Sequence, residues 1–281
     1  MIDIILDTLI DALKLLPFLF ATFLVIEYIE HKLKDKPRQK LQNSKYGPVI
    51  GALLGAFPQC GFSVAATNLY ITRIISLGTL IAIFLSTSDE MLPILIANKT
   101  NPIIIIKIVS IKIIIGMICG IIIDLIYKKN KKEELEKSPY EICEHSKCGC
   151  NNNIIKSSLK HTINILIFII IISFILNLSL SYLGQDKIKT LFLNNNIFAP
   201  FISGLIGLIP NCGASIALTE LYLEDVITLG TSLSGLLSGS GIGLLVLIKQ
   251  NKNIKQNILI ILTIYLIGVI SGIIINLINI M

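Results

Sequence analysis

The sequence predicts an all-α polytopic membrane protein made of two homologous halves, and three observations carry that prediction: apolar runs of spanning length, an internal repeat, and Gly/Pro breaks at matching places in each half. The chain has 281 residues, 53% of them hydrophobic and none of them Trp, with a mean hydropathy of +0.80. That is too apolar for a soluble domain of ordinary composition. A helix needs roughly 20 apolar residues to cross the hydrocarbon core, and runs of that length recur from end to end, which leaves no room for a soluble catalytic domain. The lipid bilayer is therefore the first expected partner.

The repeat is read by shifting the chain by 152 positions, which lays residues 47–96 on residues 199–248 without a gap. About twenty of the fifty positions are identical, among them Gly55/Gly207, Pro58/Pro210, Cys60/Cys212, Gly61/Gly213, Ser63/Ser215, Thr67/Thr219, Tyr70/Tyr222, Gly78/Gly230 and Ser86/Ser238. The same shift lays Gly116 and Gly120 on Gly268 and Gly272, a small-xxx-small spacing that lets helix backbones approach closely. The chain then divides into a first membrane repeat (1–127), a cytoplasmic linker (128–158) and a second membrane repeat (159–281).

Taken in order, each half opens with a helix (4–26 and 159–183), continues through a Gly/Pro-broken region of about fifty residues, and closes with a helix (104–127 and 256–279). The first stretch carries Asp3, Asp7, Asp11 and Lys14, lacks the basic start and small-residue cleavage site of a signal peptide, and is expected to remain as the first span. Residues 31–45 and 128–160 are both rich in Lys and Arg, so the positive-inside rule places both in the cytoplasm. An even number of crossings must separate them, so each half with its first helix has three or five, and an odd number inverts the second half relative to the first. Either the broken region makes three short crossings, or the stretch around Pro58-Gln59-Cys60-Gly61 and Pro210-Asn211-Cys212-Gly213 re-enters and leaves on the same side. Irregular backbone of either kind is tolerated only where protein buries it or a cavity faces it, and inverted repeats with broken helices are a common transporter plan. Four ordinary helices per half in parallel orientation, eight in all, is the alternative. Lys249, Lys252 and Lys255 are expected inside, and Lys99 outside.

Three groups of residues could carry chemistry. In the Pro-x-Cys-Gly elements, Pro removes a backbone donor and Gly frees the next turn, so Gln59, Cys60, Asn211 and Cys212 are candidate substrate ligands. Thiolates suit thiophilic ions, amide and carbonyl oxygens harder ones such as Mn²⁺. A helix kink with packed cysteines is the competing reading. The second group is Ser86-Thr87-Ser88-Asp89-Glu90, which aligns with Ser238-Gly239-Ser240-Gly241-Ile242, so the two carboxylates exist in one half only. Ionisable residues in an apolar helix usually line a pathway or an ion site. Ser86, Ser88, Asp89 and Glu90 are therefore candidate substrate contacts, unless the acids sit at a helix end among lipid headgroups. The third group, Cys143, His145, Cys148 and Cys150 in the linker, is either a metal-binding tract or a solvated linker with incidental ligands. His161 is either a pathway ligand or an interfacial residue, and Glu220, Glu224 and Asp225 form an acidic cluster at an expected outer boundary. Cys60, Cys119 and Cys212 lie in apolar segments, so reduced thiols are expected rather than a disulfide framework.

The net charge of +6 sits mostly in two loops and speaks of orientation, not of nucleic acid. No nucleophile and base pair, phosphate loop or catalytic carboxylate pair occurs at a productive spacing. Neither an enzyme, nor an ATP-driven pump, nor a cofactor is expected on this chain.

The run GAFPQCGFSVAATNLYITRIISLGTLIAIFLSTSDEMLPI at residues 55–94, the cysteine- and histidine-bearing linker, and Lys160-His161-Thr162 after it resemble the bacterial ten-transmembrane heavy-metal exporters, a family that takes in arsenic efflux proteins and manganese transporters. The resemblance covers essentially the whole chain. It implies a ten-helix permease of the bacterial inner membrane whose substrate is a metal or metalloid ion, with manganese and arsenite as candidates. Joined to the residues, it gives a working expectation of secondary efflux by alternating access. The linker captures the ion and passes it to a midplane site of Cys60, Asp89 and Glu90 facing the Pro210–Gly213 break. A small organic-solute or anion permease, with the cysteines in packing roles, is the alternative.

Overall fold

A computed structural model describes residues 46–130 and 198–278, apart from 58, 59, 89 and 90, together with some positions between 16 and 24 and between 158 and 175. The described positions of those two first helices are helical. Ten complete helices follow: α1 Gly47–Gly55, α2 Cys60–Ile71, α3 Leu77–Ser86, α4 Met91–Ala97, α5 Pro102–Asn130, α6 Ala199–Gly207, α7 Cys212–Leu223, α8 Leu229–Ser238, α9 Ile242–Gln250 and α10 Ile254–Ile278. No strand occurs among the described residues. Shifted by 152, α1, α2 and α3 coincide residue for residue with α6, α7 and α8, and α4 and α5 fall on α9 and α10.

The breaks follow the sequence. Pro48 and Pro200 occupy the first turns of α1 and α6, where their missing N–H is no loss. Ser76 caps α3 and Thr228 caps α8, each accepting from the backbone N–H three residues on. Opposite α3, Asp124 of α5 accepts from Ser76 Oγ at 2.6 Å and from the Gly78 N–H at 2.8 Å, which sets a carboxylate at the positive end of the helix dipole. The matching position near α8 is Asn276, which accepts from Thr228 Oγ1 at 2.8 Å.

The bundle is layered. All ten residues of α3 are buried, as a mostly apolar helix requires, and so are nine of the ten in α8, the hydroxyls of Thr231, Ser232, Ser234 and Ser238 included. Across the pair runs a core of Leu80, Ile81, Phe84, Leu85 and Leu237. Outside it, α5 and α10 are long enough to span, and bury only 22% and 33% of their apolar windows. On α10, Ile258, Leu262, Leu266, Ile270 and Ile274 are exposed at a strict spacing of four, which draws one apolar stripe down one helix face. A stripe of that length has no place in water and faces lipid tails. The inner face of each long helix carries the small residues: a Cβ on Gly78 would overlap the Gly120 carbonyl oxygen, and one on Gly230 that of Gly272. The small-xxx-small spacing therefore brings α5 against α3 and α10 against α8.

The neighbours of α1 decide how the broken region runs. Gly47 abuts Thr79 at the start of α3, Gly51 meets Ile83, and Gly55 abuts Ser86 at its end, so α1 runs alongside α3 in the same direction and stops at the middle of the bundle. From there α2 turns back, and its C-terminus meets α3 through a tight turn in which the Ile74 N–H bonds to Leu69. The pair α1–α2 is thus a hairpin that enters and leaves at one end, with the Pro-x-Cys-Gly element at its tip. The geometry follows the re-entrant reading and not four plain helices per half. In the second half α6 lies along α8 in the same manner, with Pro200 accepting from Ser234 Oγ and Gly207 packed on Gly235.

Contacts between halves are exchanged: α2 packs on α9, and α7 packs on α4. The Tyr70 hydroxyl bonds to the Gln256 amide, so the α2–α3 turn shares one end of the bundle with the α9–α10 turn. Arg73, Lys249, Lys252 and Lys255 gather there. At the other end, where Tyr222 and Leu223 of α7 pack against the core of Met91 and Leu95, the described charges include Lys99, Glu220, Glu224 and Asp225.

Candidate functional site

The functional region lies where the two broken spans meet. Residues 77–97 together are long enough to cross a bilayer, as are 229–250, and each is interrupted near its middle: α3 ends at Ser86 with Thr87 extended (φ −55°, ψ 127°), and α8 ends at Ser238 ahead of Gly241, which holds a positive φ of 55°. A helix that stops inside a bundle leaves its last carbonyls without intrahelical partners, and its C-terminal end carries a partial negative charge. Hydroxyls at the breaks bond back to the last turns. Thr87 Oγ1 and Ser86 Oγ donate to the Ile83 carbonyl at 2.7 and 3.1 Å, Ser88 Oγ to the Ser86 carbonyl at 3.1 Å, and Ser238 Oγ to the Ser234 carbonyl at 2.9 Å.

Into this junction α5 projects Lys112. The side chain is 1% exposed, and its ammonium donates to the Thr87 carbonyl in one half and to the Leu236 carbonyl, at 3.1 Å, in the other. A charge is expensive at such depth unless it is paired and hydrogen-bonded. Here the C-terminal ends of two broken helices supply the negative potential. Ser240 lies beyond the α8 break, 2% exposed, and its hydroxyl has no hydrogen-bond partner among the described residues.

The residues singled out from the sequence divide as follows. Ser86 and Ser88 are fully buried at the α3 break. Asn211 is at the tip of the second hairpin, where its side chain caps α7 by accepting from the Gly213 N–H at 3.4 Å. Cys60 and Cys212 are the first residues of α2 and α7, and their side chains lie outside the described residues. So do Gln59, Asp89, Glu90, His161 and the linker group of Cys143, His145, Cys148 and Cys150. Asp89 and Glu90 follow Ser88 directly in the chain. Among the described residues no three His, Cys, Asp or Glu side chains gather into a metal site, and Cys119 is a half-buried free thiol on α5. Glu224 and Asp225 sit in the turn after α7, the latter with a positive φ of 57°.

Sequence reasoning missed Lys112, although two signals were there to find it. It is an ionisable residue inside an apolar run, which is a functional candidate by default, and its partner under the 152-residue shift is Ile264. The asymmetry that marked Asp89 and Glu90 marks Lys112 as well.

Spanning helices with lipid-facing stripes, re-entrant hairpins, and two helix breaks closed around a buried ammonium define a multi-pass membrane transport protein. The family model described as "Putative, 10TM heavy-metal exporter" matches residues 1–184 and again 172–280, and the chain belongs to this family. No curated protein and no solved structure matches it.

Proposed function

We propose that the protein exports a divalent heavy-metal cation across the bacterial inner membrane by alternating access, with manganese the first candidate. The observation that carries this reading is the convergence of the α3 and α8 C-termini on one buried cation, the Lys112 ammonium, at the level of both breaks. Half-helix ends and unwound carbonyls facing a cation at the midplane are what a secondary transporter uses to hold its ion. Asp89 and Glu90, next in the chain after Ser88, supply the substrate carboxylates. Ser88 supplies a hydroxyl, and Gln59, Cys60 and Cys212 are the further candidate ligands, whereas the Asn211 side chain caps α7. Oxygen ligands of this kind favour Mn²⁺ over softer ions, whereas a dominant role for the two thiols would favour arsenite.

Alternating access also calls for two halves of opposite orientation. Three features support that orientation. Each half has one hairpin that returns to its own end, one broken span and one long helix among the described residues, and the expected first helix brings the crossings to three. Tyr70 of the first half meets Gln256 of the second, although Leu77–Ala97 and Leu229–Gln250 are each a full span, so equivalent turns fall at opposite ends. Finally, Arg73, Lys249, Lys252 and Lys255 share an end, which the positive-inside rule assigns to the cytoplasm. Proton exchange at Asp89 or Glu90 supplies the driving force, and the Cys143–Cys150 segment collects the ion on the cytoplasmic side. The reaction is transport alone, without chemical conversion of the substrate.

A buried lysine is also what an anion permease would use, and Lys112 is the observation in favour of that second reading. Elemental analysis of cells that express the protein, challenged in turn with Mn²⁺, Zn²⁺, Fe²⁺ and arsenite, separates the two. Lower accumulation of one metal, abolished by Asp89→Asn with Glu90→Gln, is the expected result. Unchanged accumulation of every element would sink metal export and leave the anion permease.

A further inference from the structure

We propose that the Lys112 ammonium is a tethered cation, which fills the carbonyl site between the two broken helices whenever no free cation occupies it. The argument starts from the site rather than from the lysine. Thr87 O and Leu236 O come from different halves and different helices, and each is a carbonyl that a terminating helix leaves over. Both helix dipoles present their negative ends here, so the site is shaped for positive charge before any side chain reaches it. An ammonium with three donors and no acceptor matches such a set of oxygens, and it comes from a third helix, α5, on a stem of four methylenes.

The surroundings fit a cation that is held but not locked in. The hydroxyls of Ser86, Thr87, Ser88 and Ser238 at the two breaks already donate to backbone carbonyls, so none of them offers its proton to a cation there. The Ser240 hydroxyl, just beyond the α8 break and 2% exposed, makes no hydrogen bond among the described residues. Ile264 takes the equivalent position in the second half, so one tethered cation serves both breaks.

The consequence is functional. A carrier that releases a cation must return with its site empty, and bare carbonyls facing one another in a water-poor interior oppose that step. The tethered ammonium replaces the departed ion, so the empty carrier stays closed and neutralised. A free cation of higher charge must displace the lysine in order to bind. The inference concerns how the carbonyl site is filled and does not depend on which substrate is carried. Its test reads stability instead of transport, so it can fail while metal export stands, and the reverse.

The experiment compares thermal unfolding of the purified full-length protein with that of Lys112→Met, in potassium, sodium or manganese chloride and in tetramethylammonium chloride at equal ionic strength. The tetramethylammonium ion is far bulkier than the primary ammonium it would have to replace and carries no N–H donor. The wild type is expected to melt at one temperature in potassium, sodium and tetramethylammonium. The variant is expected to melt several degrees lower in tetramethylammonium and to regain most of the loss in a small cation, with about one equivalent of that cation retained after desalting. Lys112→Gln serves as the second variant should the methionine form be lost on purification. An equal deficit in every salt, or loss of both variants whichever cation is present, would mean that Lys112 is a structural lysine and would overturn the proposal.

Discussion

Tyr70 and Gln256 come from opposite halves of the chain, yet the Tyr70 hydroxyl and the Gln256 amide are hydrogen-bonded at one end of the bundle. Tyr70 precedes the α2–α3 turn and Gln256 follows the α9–α10 turn, so the contact fixes which loops share a membrane face. Under the shift of 152 residues the counterpart of Tyr70 is Tyr222, which packs against the core of Met91, Leu95 and Ile108. The proposed inverted arrangement puts equivalent turns of the two halves at opposite ends.

Cysteine labelling in intact cells tests this arrangement. In a cysteine-free background, Arg73→Cys and Lys252→Cys are expected to resist a membrane-impermeant maleimide until the cells are opened. Lys99→Cys and Asp225→Cys, at the other end, are expected to react from outside. Equal access for Arg73→Cys and Asp225→Cys would mean that the halves run parallel.

Asp124 carries a measurable share of stability. Its two oxygens hold the Ser76 hydroxyl and the Gly78 N–H, so it acts as a remote N-cap for the fully buried α3. Loss of such a cap costs about 1 kcal/mol, and loss of the charge at the dipole a further ~0.5 kcal/mol. Asp124→Ala should therefore lower the unfolding temperature in detergent. Asp124→Asn should keep most of it, because Asn276 does the same work for Thr228 at 2.8 Å.

Much of this fold was legible in the sequence, for a plain physical reason. The repeat fixes where helices stop, because Pro48/Pro200, Ser76/Thr228 and Gly78/Gly230 act locally on backbone geometry, and local rules can be read from local residues. The hairpin was legible only as one of two options. Nothing in the stretch 47–71 tells whether a helix pair crosses or returns; that is settled by Gly47 on Thr79 and Gly55 on Ser86, contacts some thirty residues apart in the chain. The two breaks were legible in part: Ser86 and Ser88 repeat as Ser238 and Ser240 while Thr87, Asp89 and Glu90 depart from their partners, and Lys112 departs from Ile264, but its contact depends on the Leu236 carbonyl 124 residues away. Asn211 reads from the sequence as a ligand, yet its oxygen is turned to its own helix end, a local bond that competes for the same acceptor.

The glycines of the α3–α5 seam make a graded prediction. A methyl group on Gly78 would run into the Gly120 carbonyl oxygen and the Asp124 carboxylate, and backbone cannot yield as a flexible side chain can. Gly78→Ala is expected to cost about 1–3 kcal/mol, the range for overpacked cores, and to reduce the yield of folded protein. Gly239→Ala should cost less than Gly78→Ala in a thermal melt, because a Cβ there meets the Gly235 carbonyl oxygen at 3.3 Å, a mild crowding, and the φ is −75°.

The seam between the halves should be more sensitive still, because it has to open if the protein alternates. A Cβ on Gly243 would lie 2.7 Å from the Ser63 carbonyl oxygen, and Thr67 Oγ1 donates to the Gly243 carbonyl at 3.0 Å, so α2 and α9 touch backbone to backbone. The matching crossing of α4 and α7 is kept apart by a side chain: Met91 replaces the glycine and is buried beside Thr219, Tyr222 and Leu233. Gly243→Ala pries apart the α2–α9 crossing and leaves the other alone, so it biases the carrier away from the state seen here. Transport measured as metal accumulation should fall several-fold, with cysteine access to position 63 increased. Met91→Ala removes packing instead of adding it and costs about 2–5 kcal/mol of stability, so a melt separates the two variants. If Gly243→Ala transports at the wild-type rate with position 63 still protected, the α2–α9 crossing is a fixed scaffold and the moving seam is the one lined by Met91.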